Sequence, residues 1–204
     1  PDLASRLSRN WQWGLNDSWG TPQIVAQGKG TVDSEGELEV RVSSDLASAG
    51  GEFGALPQLW ELSANVTDRS QYPVSVPVNA VGRVAIHRAR LYLGLRLDSR
   101  TIRARDKLEV EIRAVDWIGN PVSNQTVEAL LAKRTWYRTG TQEAGWAYTD
   151  TLVSELEVTT DALGQAETLF NPPRPGHYVV KVGSRDRRGR LAESEGDLWV
   201  SGDE

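Results

Sequence analysis

Apolar and polar residues alternate with period two along many short stretches of this chain. In residues 107–115, Leu108, Val110, Ile112 and Ala114 fall on one side, with Glu109, Glu111 and Arg113 on the other. Leu156 and Val158 alternate with Glu155 and Glu157, and Ala166, Thr168 and Phe170 resume the rhythm. Tyr178, Val180 and Val182 point one way, Val179 and Lys181 the other. Val127, Ala129 and Leu131 share a face, as do Trp60, Leu62, Ala64 and Val66. Residues 37–42 set Leu38, Val40 and Val42 against Glu37, Glu39 and Arg41, and residues 72–80 set Val74, Val76 and Val78 inward. Successive side chains leave a strand on opposite sides, so this period marks half-buried antiparallel strands. No stretch sustains a 3.6-residue period.

The strands are punctuated by a recurring turn, Asp-x-x-Gly, at Asp33/Gly36, Asp116/Gly119, Asp161/Gly164 and Asp186/Gly189. Aspartate bonds its own backbone two residues on, and glycine supplies a positive φ without steric cost. Gly164 and its equivalent Gly36 are therefore expected at positive φ. A corner at Asn171, Pro172, Pro173, Arg174, Pro175 and Gly176 cannot continue a ladder, because proline has no N–H to donate.

The strand-and-turn cassette of residues 159–186 has a counterpart in residues 31–68, with Asp33, Gly36, Trp60 and Asp68 matching Asp161, Gly164, Tyr178 and Asp186. Such self-similarity implies two related β modules. The division is set at residues 1–86 and 87–204, within a boundary zone at 81–89. The fold class is all-β: tandem antiparallel sandwiches of the immunoglobulin or fibronectin-III type. The second module is expected to form a complete seven-stranded sandwich over residues 91–200. Its core is expected to include Val110, Ile112, Val127, Leu131, Leu156, Phe170, Tyr178, Val180 and Val182. Residues 102–106 are expected as a loop and 134–149 as a long hairpin tip. The first module shows about five strands, residues 1–20 included, and is expected to lack its first strands.

Composition narrows the function. A net charge of −5 over 204 residues offers no basic footprint for nucleic acid. No apolar run approaches the roughly 20 residues of a membrane helix, so no membrane contact is expected of this segment. The absence of cysteine removes disulfides, thiolate metal sites and thiol nucleophiles together. With no methionine and Pro1 in first place, a fragment of a longer protein is expected.

Candidate chemistry is sparse. The two histidines, His87 and His177, sit on different stretches and outside any context of nucleophile activation. No catalytic residue, cofactor or metal site is expected. Asp33, Gly36, Asp116, Gly119, Asp161, Gly164 and Gly176 read as turn formers. The eight tryptophans suggest a second possibility. Trp11, Trp13, Trp136 and Trp146 are candidates for an aromatic platform meeting glycan or a protein, or else for packing. The best candidate surface is Trp136, Trp146 and Tyr148 in the hairpin tip, since loops on a rigid scaffold often carry binding.

Tyr92-Leu93-Gly94-Leu95-Arg96-Leu97-Asp98, Val115-Asp116-Trp117-Ile118-Gly119-Asn120-Pro121-Val122, Glu157-Val158-Thr159-Thr160-Asp161 through Gly164, Pro175-Gly176-His177-Tyr178 and Leu198-Trp199-Val200 follow one another in order. In these residues and their spacing the second module resembles the macroglobulin domains of bacterial alpha-2-macroglobulins. The resemblance implies a large periplasmic or extracellular protein that traps proteases after a bait region is cut. This segment would be scaffold there: its partners would be neighbouring domains of the same chain, and target proteases would be engaged by the full-length protein. Many family members carry a Cys-Gly-Glu-Gln thioester, and this sequence has no such stretch. The alternative is a pair of glycan- or protein-binding modules from a surface adhesin or carbohydrate-active enzyme.

Overall fold

The computed structural model describes residues 11–13, 24, 26–42, 58–67, 77–87, 89–140 and 145–202. Among the described residues, eleven strands run in chain order: β1 (Gln12–Trp13), β2 (Gln58–Val66), β3 (Val78–Ile86), β4 (Leu91–Leu97), β5 (Thr101–Arg103), β6 (Leu108–Asp116), β7 (Thr126–Arg138), β8 (Trp146–Thr159), β9 (Gln165–Phe170), β10 (Gly176–Arg185) and β11 (Leu191–Ser201). The chain divides into two units, one of Pro1–Leu15 with His87–Glu204, the other of Asn16–Ile86.

The first unit is a β-sandwich. One sheet has the order β1-β4-β6-β9 and the other β5-β11-β10-β7-β8. Its core forms where the alternating faces meet. Leu91, Leu93 and Leu95 of β4, Leu108, Val110 and Ile112 of β6, and Phe170 of β9 pack against Val127 and Leu131 of β7, Tyr178, Val180 and Val182 of β10, and Leu198 and Val200 of β11. Each fully buried aliphatic of this kind contributes about 1.5–3 kcal/mol. The Tyr178 hydroxyl donates to the Arg174 carbonyl at 2.8 Å, tying the start of β10 to the proline corner. This is the tyrosine-corner bond of immunoglobulin-type sandwiches.

The four Asp-x-x-Gly turns share one bonding scheme. At Asp161, Oδ1 accepts from the N–H groups of Leu163 (2.8 Å) and Gln165 (2.9 Å), while Gly164 N–H returns to the Asp161 carbonyl at 3.0 Å. Asp33, Asp116 and Asp186 repeat it. Gly36, Gly119, Gly164 and Gly189 have φ of 83°, 91°, 71° and 75°.

Several expectations need correction. Among the described residues, eight strands rather than seven lie between Leu91 and Ser201, because Thr101–Arg103 is a short strand pairing parallel with β11. The supposed hairpin tip is mostly strand: β7 continues to Arg138 and β8 begins at Trp146. Leu156 is 38% exposed rather than buried. It lies opposite the buried Ala129, but on the edge strand β8, where the facing sheet offers less cover. Within residues 1–20, Gln12 and Trp13 join the second module instead of the first, pairing with Leu95 and Gly94. The reason is a matched surface. Gly94 lacks a side chain, and the rings of Trp13 and Trp11 occupy the space its Cβ would enter. The Ser194 hydroxyl also donates to the Gln12 carbonyl at 2.8 Å, and the Gln12 side chain lies between the Glu195 carbonyl and the Arg100 guanidinium, which its amide satisfies with the NH2 toward Glu195 and the oxygen toward Arg100.

In the second unit, the described residues form one antiparallel pair, β2 with β3, in which Trp60 faces Val84 and Val66 faces Val78. Residues 37–42 are not a strand despite their alternation, and Leu38, Val40 and Val42 are exposed. The pattern needs a neighbouring strand to become a ladder, and among the described residues no pairing is present there. The boundary zone expected at 81–89 is strand as far as Ile86. Val74 and Val76 lie outside the described residues.

Candidate functional site

The outer face of the five-stranded sheet carries the densest polar and aromatic grouping among the described residues, and a bulge in β8 creates it. Val127 pairs with Val158 and Leu131 with Ser154, but Ala132 pairs with Leu152, so Val153 is an extra residue. Side chains alternate along a strand, so one extra residue flips the faces of everything beyond it. Val158 and Leu156 point to the core side. Leu152, Asp150, Tyr148 and Trp146 share their parity yet turn outward, opposite Ala132, Arg134, Trp136 and Arg138.

Arg134 anchors this face. Its side chain is only 6% exposed. Nε and Nη2 donate to the two carboxylate oxygens of Asp150 at 2.8 and 2.9 Å, a bidentate fork. Lys181 approaches Asp150 at 2.7 Å from β10, and Glu195 lies 3.5 Å from Arg134 on the β11 side. The fork from Arg134, aided by Lys181, holds the Asp150 carboxyl down at about 2. The bond from Asp150 in turn raises the Arg134 pKa, outweighing its burial. The guanidinium also lies over the Tyr148 ring, 4.0 Å from its centre.

Tyr148 meets Trp136 edge to face at 5.0 Å. On the other side, the Trp136 indole N–H donates to Nδ1 of His177 at 3.2 Å, and the two rings are within 8° of parallel. An N–H in the indole plane reaches an in-plane lone pair at that distance only when the rings lie side by side. Nε2 of His177 is 3.0 Å from Asp197 Oδ1. Nδ1 is the acceptor, so the proton resides on Nε2 and is donated to Asp197. Trp199, paired with His177 in the ladder, continues the row at 6.5 Å with a 34° tilt.

Of the surface expected from sequence, Trp136 and Tyr148 therefore come together, and Trp146 lies apart from them beside the Arg138 guanidinium, 6.0 Å away. Sequence reasoning missed His177, Trp199 and the Arg134 cluster. The signal was the parity of Glu195, Asp197 and Trp199 along β11, readable only once β10 and β11 are aligned. Trp11 and Trp13 lie on the other sheet, 6.2 Å from each other. There Trp13 packs against Tyr92 and Val115, and His87 bonds the Tyr92 hydroxyl and lies 6.0 Å from Trp117. Burial pushes the Tyr92 hydroxyl up to about 12.

The turn residues do structural work. Burial alone would raise the Asp186 carboxyl. It is instead held well below the usual carboxylate range by the Arg190 side chain and by the backbone N–H groups of Arg90, Arg190 and Arg188. The bond from Arg90 N–H ties this turn to the start of β4. Gly176, at φ 141°, sits against the Lys133 side chain, whose Nζ donates to the Pro175 carbonyl. Asp33, Asp116 and Asp161 spend their Oδ1 atoms within their own turns. Among the described residues, no three His, Asp or Glu side chains converge as a metal site.

The sandwich, its tyrosine corner and its sheet order place the protein in the immunoglobulin-like all-β class. Within that class, its fold is that of domains in bacterial alpha-2-macroglobulin. The chain superposes on native alpha-2-macroglobulin of E. coli with a TM-score of 0.62 and 15% identity, over 95% of this chain and 13% of that one. It matches methylamine-reacted Salmonella alpha-2-macroglobulin with a TM-score of 0.60 and 16% identity, over 98% of this chain and 13% of that one. The chain thus spans about an eighth of those proteins' length, 13% in each case. No family profile matches the sequence, and no curated protein does.

Proposed function

We propose that this chain is a scaffold segment of a larger alpha-2-macroglobulin-like protein of the periplasm or cell surface. In this reading it builds part of the frame of a protease trap and catalyses nothing itself. The observation that carries the reading is the likeness in fold to bacterial alpha-2-macroglobulin over 95% of the chain. Its partners would be the adjoining modules, and proteases would meet the assembled protein.

Two measurements test this. Mixed with a broad-specificity protease, the 204-residue chain should leave activity on a large substrate and on a small peptide unchanged, with no conjugate on a denaturing gel. Deleting the segment from the longer protein should abolish protease trapping. Selective protection of the small-peptide activity by the chain alone, or undiminished trapping after the deletion, would refute the scaffold role.

A further inference from the structure

We propose that the side-by-side Trp136 and His177 rings, continued by Trp199, form a carbohydrate-binding platform that stacks against the flat face of a pyranose ring. This goes beyond the scaffold reading and does not depend on it.

Three observations carry the inference. The first is planarity. The Trp136 indole N–H meets His177 Nδ1 at 3.2 Å and the rings are 8° from parallel with centres 6.5 Å apart, too far for face-to-face stacking, so the rings sit side by side and together offer a broad flat face. Trp199 extends it by a further 6.5 Å. The second is rigidity. Tyr148 braces Trp136, Arg134 caps Tyr148, and Asp150 holds Arg134 in a bidentate grip. Asp197 fixes the other end through His177. Side chains locked by such a supporting shell bind without a large ordering cost. The third is exposure. Trp136 remains 47% exposed and Trp199 56%, so the braced rings keep an open face.

The surroundings select the ligand class. Asp197 and Glu195 flank the rings with side chains 65% and 51% exposed. A pyranose offers electron-poor C–H groups on its face, which suit the negative face of an aromatic ring, and hydroxyl donors around its rim. Carboxylates at the edge of the platform would accept those hydroxyls in charge-assisted bonds. The centres of protein interfaces are depleted in charged residues, whereas Asp150, Glu195, Asp197, Lys181 and Arg134 crowd this one. Three carboxylates against two cations also disfavour an anionic membrane.

The test titrates the 204-residue chain with cellohexaose and with chitohexaose, read by tryptophan fluorescence and calorimetry, beside a lysine-rich peptide as a protein-like probe. Binding of at least one oligosaccharide with Kd of about 1 mM or tighter is expected. Trp136→Ala and Trp199→Ala should each weaken it about tenfold, a loss of one factor of ten in Kd. His177→Phe, which keeps a ring but breaks the in-plane bond, should weaken it less. Trp117→Ala, in the aromatic group of the other sheet, should leave affinity unchanged. Thermal melts of every variant separate lost folding from lost binding, and Asp197→Asn, which weakens both a rim acceptor and the brace on His177, should also lower affinity. No saturable binding of either sugar up to about 10 mM, equal losses in Trp117→Ala and Trp136→Ala, or binding of the peptide alone would overturn the proposal.

Discussion

Replacing Gly164 with alanine should cost far more than the same change at Gly189, although the two glycines occupy equivalent turns. Both have positive φ, 71° and 75°, so each substitution carries a backbone strain of about 1 kcal/mol. At Gly189 nothing lies within 4 Å of the new Cβ. At Gly164 the Cβ would stand 2.5 Å from the Ala114 carbonyl oxygen and 3.0 Å from the Val122 nitrogen. Both are backbone atoms and cannot swing aside. The Ala114 carbonyl accepts from Val122 N–H at 2.9 Å, and Ala114 N–H donates to the Gly164 carbonyl at 2.8 Å. Relieving the clash moves the turn off the end of β6 and weakens both bonds, adding about 1 kcal/mol for each. The expected losses are therefore about 3 kcal/mol for Gly164→Ala and about 1 kcal/mol for Gly189→Ala. Urea unfolding of both variants and the parent, fitted with a shared m-value, measures the difference. Losses equal within about 0.5 kcal/mol would refute the account of a turn seated on β6.

Three further expectations follow from the same structure. The Asp150 pKa is lowered from an unfolded value of about 3.9 to about 2, so its ion pair adds about 2–3 kcal/mol of stability at pH above about 4. That contribution should vanish as the pH falls from 4 towards 2. Urea midpoints across that range should fall less steeply in Asp150→Asn, and an unchanged slope would contradict the assignment. Asp186→Asn should destabilise by about 2 kcal/mol and Asp33→Asn by less than half of that, because Asp186 also holds Arg90 N–H and the Arg190 guanidinium. Equal midpoints for these two variants would count against that role. Tyr178→Phe leaves the Arg174 carbonyl without its donor and should cost about 1–2 kcal/mol, read from the same melts.

What the sequence made legible was whatever is decided within a few residues. The Asp-x-x-Gly turns are closed by bonds spanning two to four positions, so composition alone announces them. The faces of β6 and β10 follow from alternation, because both are central strands with neighbours on each side. The failures share a different cause. Residues 37–42 have the better alternation, yet a ladder needs a partner that no local pattern supplies. Thr101–Arg103 is a strand because β11 runs beside it. Trp146, Tyr148, Leu152, Leu156 and Val158 have one parity, and a single extra residue, Val153, sends the first three outward. The platform was hidden for the same reason: Trp136, His177 and Trp199 come from three strands whose alignment is a tertiary fact.

The short strand β1 also has a bearing on how the protein is made. Gln12 bonds a serine 182 residues further along the chain. During synthesis, residues 11–13 leave the ribosome before any of their partners exist. The edge of β4 appears only after the whole of the other unit has been translated, and Ser194 arrives later still. Loop-closure entropy grows slowly with length, so the final pairing is little weaker for that distance. Its timing is different: contacts of such separation form late, and until then the indoles of Trp11 and Trp13 have no Gly94 to cover and remain open to misassociation. The earliest of the described strands to be synthesised is among the last able to take its place.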